Sequence, residues 1–151
     1  EELDISDLSE DVCELFQPVA EDKNVHLTFS GSGGILVAGE QRKLKRAIAH
    51  IIDNAIKFTE SGGNIEVVCK SKGNKAQITV QDTGVGIPQE GLEKVFDRFY
   101  RIDKSRSNNG NGLGLSLARS IVNAHKGELT LTSELGQGST LCMVLPVSNR
   151  E

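Results

Sequence analysis

The sequence predicts an α/β fold of two layers, a mixed and mostly antiparallel sheet with helices packed on one face. Two observations predict it: apolar residues recur at helical spacing in three stretches, and alternating apolar stretches between them come in pairs. The chain has 151 residues, of which 37% are hydrophobic, and this size suits a single core. We therefore expect residues 1–151 to form one domain.

Helical spacing of apolar residues defines the predicted helices. They run over residues 6–23, 40–58 and 113–125, with a shorter candidate near 89–96. Polar residues at 6–9 offer caps for the first helix, and Gly127 offers a stop for the third.

Alternating stretches predict six strands in three hairpins. The pairs are 26–30 with 35–38, 65–69 with 76–81, and 128–133 with 139–147. Glycine-rich or polar turns separate the members of each pair. Residues 1–5 are predicted to form a linker strand that enters the domain.

Composition excludes several classes of function. A net charge of -4 argues against a general nucleic-acid surface, whose footprint is a basic patch. Cys13, Cys69 and Cys142 lie in apolar surroundings without paired spacing, which predicts reduced core thiols in an intracellular protein. No apolar run approaches the roughly 18 residues that span a bilayer, and no signal peptide opens the chain, so we expect no direct membrane contact.

The first glycine-rich motif begins at Asp82 and runs to Pro88. Asp82 follows an alternating strand, so its carboxylate is predicted to stand at a strand end, where it can accept a hydrogen bond from the exocyclic amine of adenine. Gly84 and Gly86 lack a Cβ atom and allow the backbone to approach a base closely. An ordinary turn rich in glycine and aspartate is the alternative.

The second glycine-rich motif comes directly before the third helix. Gly110, Gly112 and Gly114 precede the helix at Leu115, so backbone N–H groups and the helix N-terminus are predicted to face phosphate groups. A glycine-rich helix entry without a ligand is the alternative. The preceding segment, 101–112, is rich in basic and small polar residues and has no core pattern.

The polar face of the second helix carries His50, Asn54 and Lys57, three and four residues apart. The carboxamide oxygen of Asn54 suits Mg²⁺, and Lys57 lies one turn later, within reach of phosphate oxygens. A solvated helix face is the alternative.

Read in order, Asn54, Asp82, the aromatic segment 96–100 and the glycine-rich segments 110–115 and 136–140 form a five-part pattern. The pattern resembles the catalytic and ATP-binding domain of sensor histidine kinases, in the GHKL superfamily. The resemblance runs from about residue 40 to Pro146. It implies the Bergerat fold, in which ATP and Mg²⁺ lie between the glycine boxes and the long helix under a lid, here 101–112.

The same resemblance implies the role of each site residue. Asn54 is implied to hold Mg²⁺, Lys57 to contact phosphate and Phe58 to neighbour the base. Thr140 is implied to support adenine directly or through water. The implied nucleotide-binding set is Asn54, Lys57, Phe58, Asp82, Gly84, Gly86, Ile87, Arg101, Lys104, Arg106, Gly110, Gly112, Leu113, Gly114, Leu115 and Thr140, and the implied catalytic set is His50, Asn54 and Lys57. The segment 95–101 resembles the phenylalanine box that anchors the lid.

His50 departs from the family pattern, which usually has Asn there, while related gyrase, mismatch-repair and chaperone ATPases have a Glu that activates water. Neutral imidazole is a poorer Mg²⁺ partner than an oxygen ligand, so weaker metal binding or slower transfer is one expectation. A satisfied surface histidine is the other. The absence of Glu argues against a water-activating hydrolase.

None of His26, His50 and His125 has the sequence context of a phosphoacceptor histidine. The resemblance therefore implies a cytoplasmic domain of a membrane-anchored homodimeric kinase, monomeric when isolated. It would transfer the γ-phosphate of ATP to a histidine on a separate dimerisation and acceptor domain, and the intact kinase would pass it to a response regulator. A nucleotide-binding regulatory module without transfer activity and an anti-sigma-type serine kinase are the alternatives.

Overall fold

The structure is a computed structural model that describes residues 1–83, 114–134 and 138–148. The helices in this part are α1 (Ile5–Lys23), α2 (Gln41–Phe58) and α3 (Gly114–Ala124). The strands are β1 (Glu2–Asp4), β2 (His26–Gly31), β3 (Leu36–Ala38), β4 (Asn64–Lys72), β5 (Lys75–Asp82), β6 (Glu128–Glu134) and β7 (Gly138–Pro146). The predicted short helix near 89–96 lies outside the described residues.

Five strands form the main sheet in the order β2-β4-β5-β7-β6. Strand β2 runs parallel to β4 and the other pairs are antiparallel, which confirms the predicted mixed and mostly antiparallel sheet. Inward residues of alternate positions, such as Val67, Ile78 and Met143, are buried, and the helices pack over that one face. The predicted hairpins β4–β5 and β6–β7 are both confirmed.

The predicted hairpin of β2 with β3 is wrong. Strand β2 pairs in parallel with β4, whereas β3 pairs antiparallel with β1 in a separate two-stranded sheet. The carboxylate of Asp4 accepts the Gly34 N–H at 2.9 Å, and the Ile5 N–H donates to the Ile35 carbonyl at 2.9 Å. These bonds direct the chain after the 31–34 turn back to β1. The prediction failed because an alternating pattern indicates a strand but does not identify its partner.

The opening residues, predicted as a linker strand, form β1 and enter α1 directly. Asp4 caps α1, accepting the N–H groups of Ser6 at 2.9 Å and Asp7 at 3.2 Å. The predicted caps at 6–9 therefore lie inside the helix, and Ser9 instead donates its hydroxyl to the Ile5 carbonyl at 2.8 Å. The side chain of Ile5 is fully buried, so these residues belong to the core as well as to the entry of the domain.

Helix α2 lies at the centre of the helical layer and packs against α1, α3 and β5. Its apolar face is buried, with Leu44, Ile48 and Ile52 at most 1% exposed. Burial of that face fixes the rotation of the helix and leaves His50, Asn54 and Lys57 on the opposite, half-buried side.

His125 joins the end of α3 to the start of α2. Its Nε2 accepts the Glu40 N–H at 3.2 Å, so Nδ1 carries the proton and donates to the Ile121 carbonyl at 2.8 Å. The ring packs so closely on Gly39 that a Cβ there would lie 2.6 Å from it. The two helices that border the predicted site are thus held at a fixed spacing.

The three thiols are free. As predicted, Cys13 and Cys69 are buried in the core, and burial raises the pKa of Cys13 to about 12 and that of Cys69 to about 11. Cys142 on β7 is only half-buried and accepts a hydrogen bond from Gln77 at 3.3 Å.

Helix α3 ends in a Schellman motif in which Lys126 adopts the left-handed conformation, with φ 65°. The Gly127 N–H donates to the Val122 carbonyl at 2.9 Å and the Lys126 N–H to the Asn123 carbonyl at 3.0 Å. Gly127, the predicted stop, is needed for a different reason, because a Cβ there would overlap the carbonyl oxygen of Val144.

Replacing Lys126 with Gly is expected to raise the free energy of unfolding by about 0.5–1 kcal/mol, since glycine relieves the left-handed strain at some cost in unfolded-chain entropy. Urea unfolding measures the change. Lys126→Ala is the matched control, because alanine removes the lysine side chain but keeps the strained Cβ. Equal stability of both variants would contradict the explanation.

Candidate functional site

Asp82, the last residue of β5, is the buried acid of the predicted site. Its side chain is 6% exposed. One carboxylate oxygen accepts the Ser139 hydroxyl at 2.9 Å and the other accepts the Ser139 N–H at 3.2 Å. The strand-end position predicted for this carboxylate is confirmed, and two hydrogen bonds fix the plane of the carboxylate.

Ser139, which the sequence analysis did not place in the site, forms hydrogen bonds with Asp82. In the β5–β7 ladder Asp82 stands opposite Ser139, whereas Thr140 stands opposite Gln81. Side chains alternate between the faces of a strand, so Thr140 lies on the outer face of the sheet, away from Asp82. The inward alternation of Leu141, Met143 and Leu145 was the signal that places Ser139 on the inner face.

Gly138 brings two backbones together at this end of the sheet. Its φ is +99°, and a Cβ built on it would overlap the carbonyl oxygen of Asp82 and lie 3.1 Å from the Cα of Thr83. Glycine is therefore required here both for the left-handed conformation and for the close approach.

The exit of β5 is anchored to the start of β4. The Thr83 N–H donates to the Asn64 carbonyl at 3.1 Å, and the Asn64 N–H donates to the Thr83 hydroxyl at 3.0 Å. Gly63 fills the space between Thr83 and the buried Thr59, which follows α2. The C-terminal end of α2 and the Asp82 end of β5 thus meet in one place.

The α2 face predicted to contact phosphate and metal is half-buried. The Lys57 ammonium lies 3.1 Å from the Asp53 carboxylate, four residues earlier, and the side chains are 32% and 36% exposed. Asn54 and Phe58 are also half-buried. This face is therefore neither a fully solvated surface nor part of the core, and the Lys57 ammonium, which has three donors, is partly neutralised by a carboxylate.

The start of α3 is described from Gly114 onward. Leu115 is buried in the core, with 6% exposure, so its side chain packs and only its backbone at the helix N-terminus is available to a ligand. The predicted lid at 101–112 and the phenylalanine box at 95–101 lie outside the described part of the chain. The other predicted site residues also lie outside it, namely Gly84, Gly86, Ile87, Arg101, Lys104, Arg106, Gly110, Gly112 and Leu113.

Burial lowers the pKa of His50, with the Arg46 and Lys57 cations acting in the same direction and the Asp53 carboxylate opposing them. The imidazole is therefore neutral at neutral pH. It offers a nitrogen ligand or a weak base next to Asn54, not a cation.

His50 is expected to make the fold less stable in acid. Because its folded pKa lies below the unfolded value of about 6.5, the unfolded chain binds more protons between the two values. The contribution of neutral His50 is complete above pH of about 6.5 and is lost as the pH falls through the folded pKa. Urea unfolding at pH 7.5 and 5.0 measures it, and His50→Asn should show a smaller loss. His26→Gln, at an exposed histidine, is the matched control, and an unchanged loss in His50→Asn would contradict the assignment.

Within residues 1–83, 114–134 and 138–148, no three His, Cys, Asp or Glu side chains are grouped to hold a metal ion. This does not conflict with Mg²⁺ at Asn54, because Mg²⁺ keeps several waters and takes few protein oxygens beside substrate phosphates. None of the helices α1–α3 has the length and continuous apolar surface that crossing a bilayer requires.

Comparison with known proteins identifies the family. Residues 39–149 match the model of the "Histidine kinase-, DNA gyrase B-, and HSP90-like ATPase" family. The sensor histidine kinase RppB of Synechocystis is 40% identical over 146 residues, which are 95% of this chain and 32% of RppB.

Solved structures of histidine kinases have the same fold as this chain. The mycobacterial sensor histidine kinase MprB superposes with a TM-score of 0.87 at 28% identity, covering 97% of this chain and 98% of that one. Full-length ShkA in complex with AMPPNP superposes with a TM-score of 0.86 at 26% identity, covering 99% of this chain and 31% of ShkA. The chain spans about a third of RppB and of ShkA. It belongs to the histidine kinase-, gyrase B- and HSP90-like ATPase family, is homologous to sensor histidine kinases, and has the fold of their catalytic domains.

Proposed function

We propose that this chain binds ATP with Mg²⁺ and transfers the γ-phosphate to a histidine on a separate helical acceptor domain. The observation that carries the proposal is the buried carboxylate of Asp82, held by Ser139 at the end of β5 beside the end of α2. A fixed carboxylate in a nearly dry setting is a selective acceptor for the exocyclic amine of adenine.

The remaining described residues fit the rest of the nucleotide. Phe58 is the last residue of α2, whose C-terminal end meets the Asp82 end of β5, and it would neighbour the base. Asn54 and Lys57 precede it on the same helix and would face the phosphates. The N-terminus of α3 would meet phosphate oxygens with its backbone N–H groups. Mg²⁺, held by Asn54 and phosphate oxygens, would neutralise charge on the transferring group.

The chemistry is mainly positioning, since phosphoryl transfer needs little covalent help from the protein. Burial lowers the pKa of His50, so this side chain is a weak base and a poor activator of water. That favours transfer to an acceptor over hydrolysis. ShkA, a relative of similar fold, was solved with AMPPNP, and RppB is a sensor histidine kinase, which supports the same nucleotide and reaction class.

The proposed partners follow from the reaction. The acceptor histidine would come from the dimerisation domain of the parent kinase, and the intact kinase would pass the phosphate to an aspartate of a response regulator. A regulatory module that binds ATP without transfer remains the second candidate, because His50 stands where an oxygen ligand is usual.

The test supplies the chain with radiolabelled ATP, Mg²⁺ and the helical acceptor domain of its parent protein. Acid-labile phosphate on the acceptor histidine, absent when that histidine is replaced, is the expected result. ATP binding without any transfer would favour the regulatory module, acid-stable phosphoserine would favour a serine kinase, and no ATP binding would overturn both kinase readings.

A further inference from the structure

Lys23, the last residue of α1, reaches across to the end of α2. Its Nζ donates to the carbonyl of Ile56 at 2.7 Å and to the carbonyl of Lys57 at 2.8 Å. The last four carbonyls of a helix have no partner within it, and a cation at this end also interacts favourably with the helix dipole. Lys23 therefore caps α2 from a neighbouring helix.

Several contacts hold the Lys23 cap in place. The side chain is half-buried, and its ammonium is held by these two carbonyls. Burial lowers the pKa of Lys23, and Glu60 opposes that shift. The next residue, Asn24, adopts φ 63°, and its carbonyl accepts the Gly62 N–H at 2.7 Å. The end of α1 is thus tied to the turn that follows α2.

The capped turn is the one that carries Lys57 and Phe58. The side chain of Lys57 is held by Asp53 at 3.1 Å, while its carbonyl is held by Lys23. Within the described residues, Thr59 adds two further bonds at this turn: its N–H donates to the Ile56 carbonyl at 3.3 Å and its hydroxyl donates to the Ala55 carbonyl at 2.7 Å. Without Lys23, the Ala55 carbonyl would keep its bond from the Thr59 hydroxyl, but the Ile56 carbonyl would be left with the long bond and the Lys57 carbonyl would turn to water.

We propose that Lys23 is a positioning residue for the nucleotide site, which holds the last turn of α2 so that Lys57 and Phe58 face the ligand. The proposal rests on the proposed function. Lys23 lies before residues 39–149, which the family model matches, so its role is read from contacts of this chain alone.

The test compares the unchanged chain with Lys23→Met, which keeps the length of the side chain and removes its donors. The dissociation constant for ATP, measured by calorimetry, is expected to rise about 5- to 10-fold. The transfer rate at saturating ATP should change less than about twofold, because the lost contacts act alike in the ground and transition states. Amide hydrogen exchange at Thr59 should become faster while exchange at Ile51 and Ile52 stays the same.

Lys43→Met is the matched control, because this lysine on α2 is exposed, pairs with Glu40 at 3.5 Å, and should leave ATP binding unchanged when replaced. Faster exchange throughout the Lys23→Met chain would show a general loss of stability and overturn the positioning role. Unchanged ATP affinity in Lys23→Met would overturn that role alone. No ATP binding by the unchanged chain would overturn the proposed function, and the positioning role with it.

Discussion

Replacing Asp82 with Asn is expected to weaken ATP binding by between about 10- and 150-fold, the range for losing a hydrogen bond to a charged group. The substitution should leave the fold intact. Its amide oxygen can accept the Ser139 N–H at the present 3.2 Å contact, and its amide group can donate to the Ser139 hydroxyl, which rotates to accept. The second N–H of the amide then faces the amine of adenine, where two donors meet.

Calorimetric titration with Mg·ATP measures the loss, and the urea midpoint verifies that the variant is folded. Glu66→Gln is the matched control, because Glu66 is an exposed acid on the neighbouring strand β4. Its ATP affinity should equal that of the unchanged chain. An Asp82→Asn variant that binds ATP within about threefold of the unchanged chain would remove the adenine contact from this site.

Replacing Gly138 with Ala should lower the free energy of unfolding by about 3 kcal/mol or more, and ATP binding should fall with it. Two costs combine. The residue has φ +99°, and the new Cβ would overlap the carbonyl oxygen of Asp82, a backbone atom that has no rotamer to change. To remove this overlap, β7 must move away from β5, and that movement separates Ser139 from Asp82.

Gly73→Ala separates these two costs. Gly73, in the β4–β5 turn, also has a positive φ, of +63°, but nothing lies within 4 Å of a Cβ built there. We expect this variant to lose only about 1–2 kcal/mol from the backbone conformation and to keep its ATP affinity. Urea unfolding of the two variants gives the comparison. Equal losses would mean that the contact with Asp82 contributes nothing.

The helices α1, α2 and α3 could be predicted from the sequence almost to the residue, because helical spacing of apolar residues is a local property. The observed α1 and α2 differ from the predicted bounds by one residue at the N-terminus. The hairpins β4–β5 and β6–β7 could be predicted equally well, since each joins strands that are neighbours in sequence. The predicted pairing of strand β2 was wrong because its partner, β4, comes after the whole of helix α2, and no local pattern identifies a distant partner.

The site was predictable where a residue type and a strand end coincide, as at Asp82. At Thr140 the prediction followed the family resemblance, although the alternation of Leu141, Met143 and Leu145 already indicates that Ser139, not Thr140, lies on the inner face of β7. The contacts of Lys23 were not predicted for another reason, because a lysine in the last turn of a helix is usually solvated. Its partners are backbone carbonyls 33 and 34 residues away, which leave no mark in the sequence.

The pairing of Asp82 with Ser139 has a consequence for the biosynthesis of the protein. The two residues are 57 positions apart, and β7 enters the sheet between β5 and β6, which precede it in the chain. A nascent chain that ends before residue 139 has the acid that we propose binds adenine, but not the serine that orients it. We therefore expect the proposed nucleotide binding to begin only after ribosomes have delivered β7.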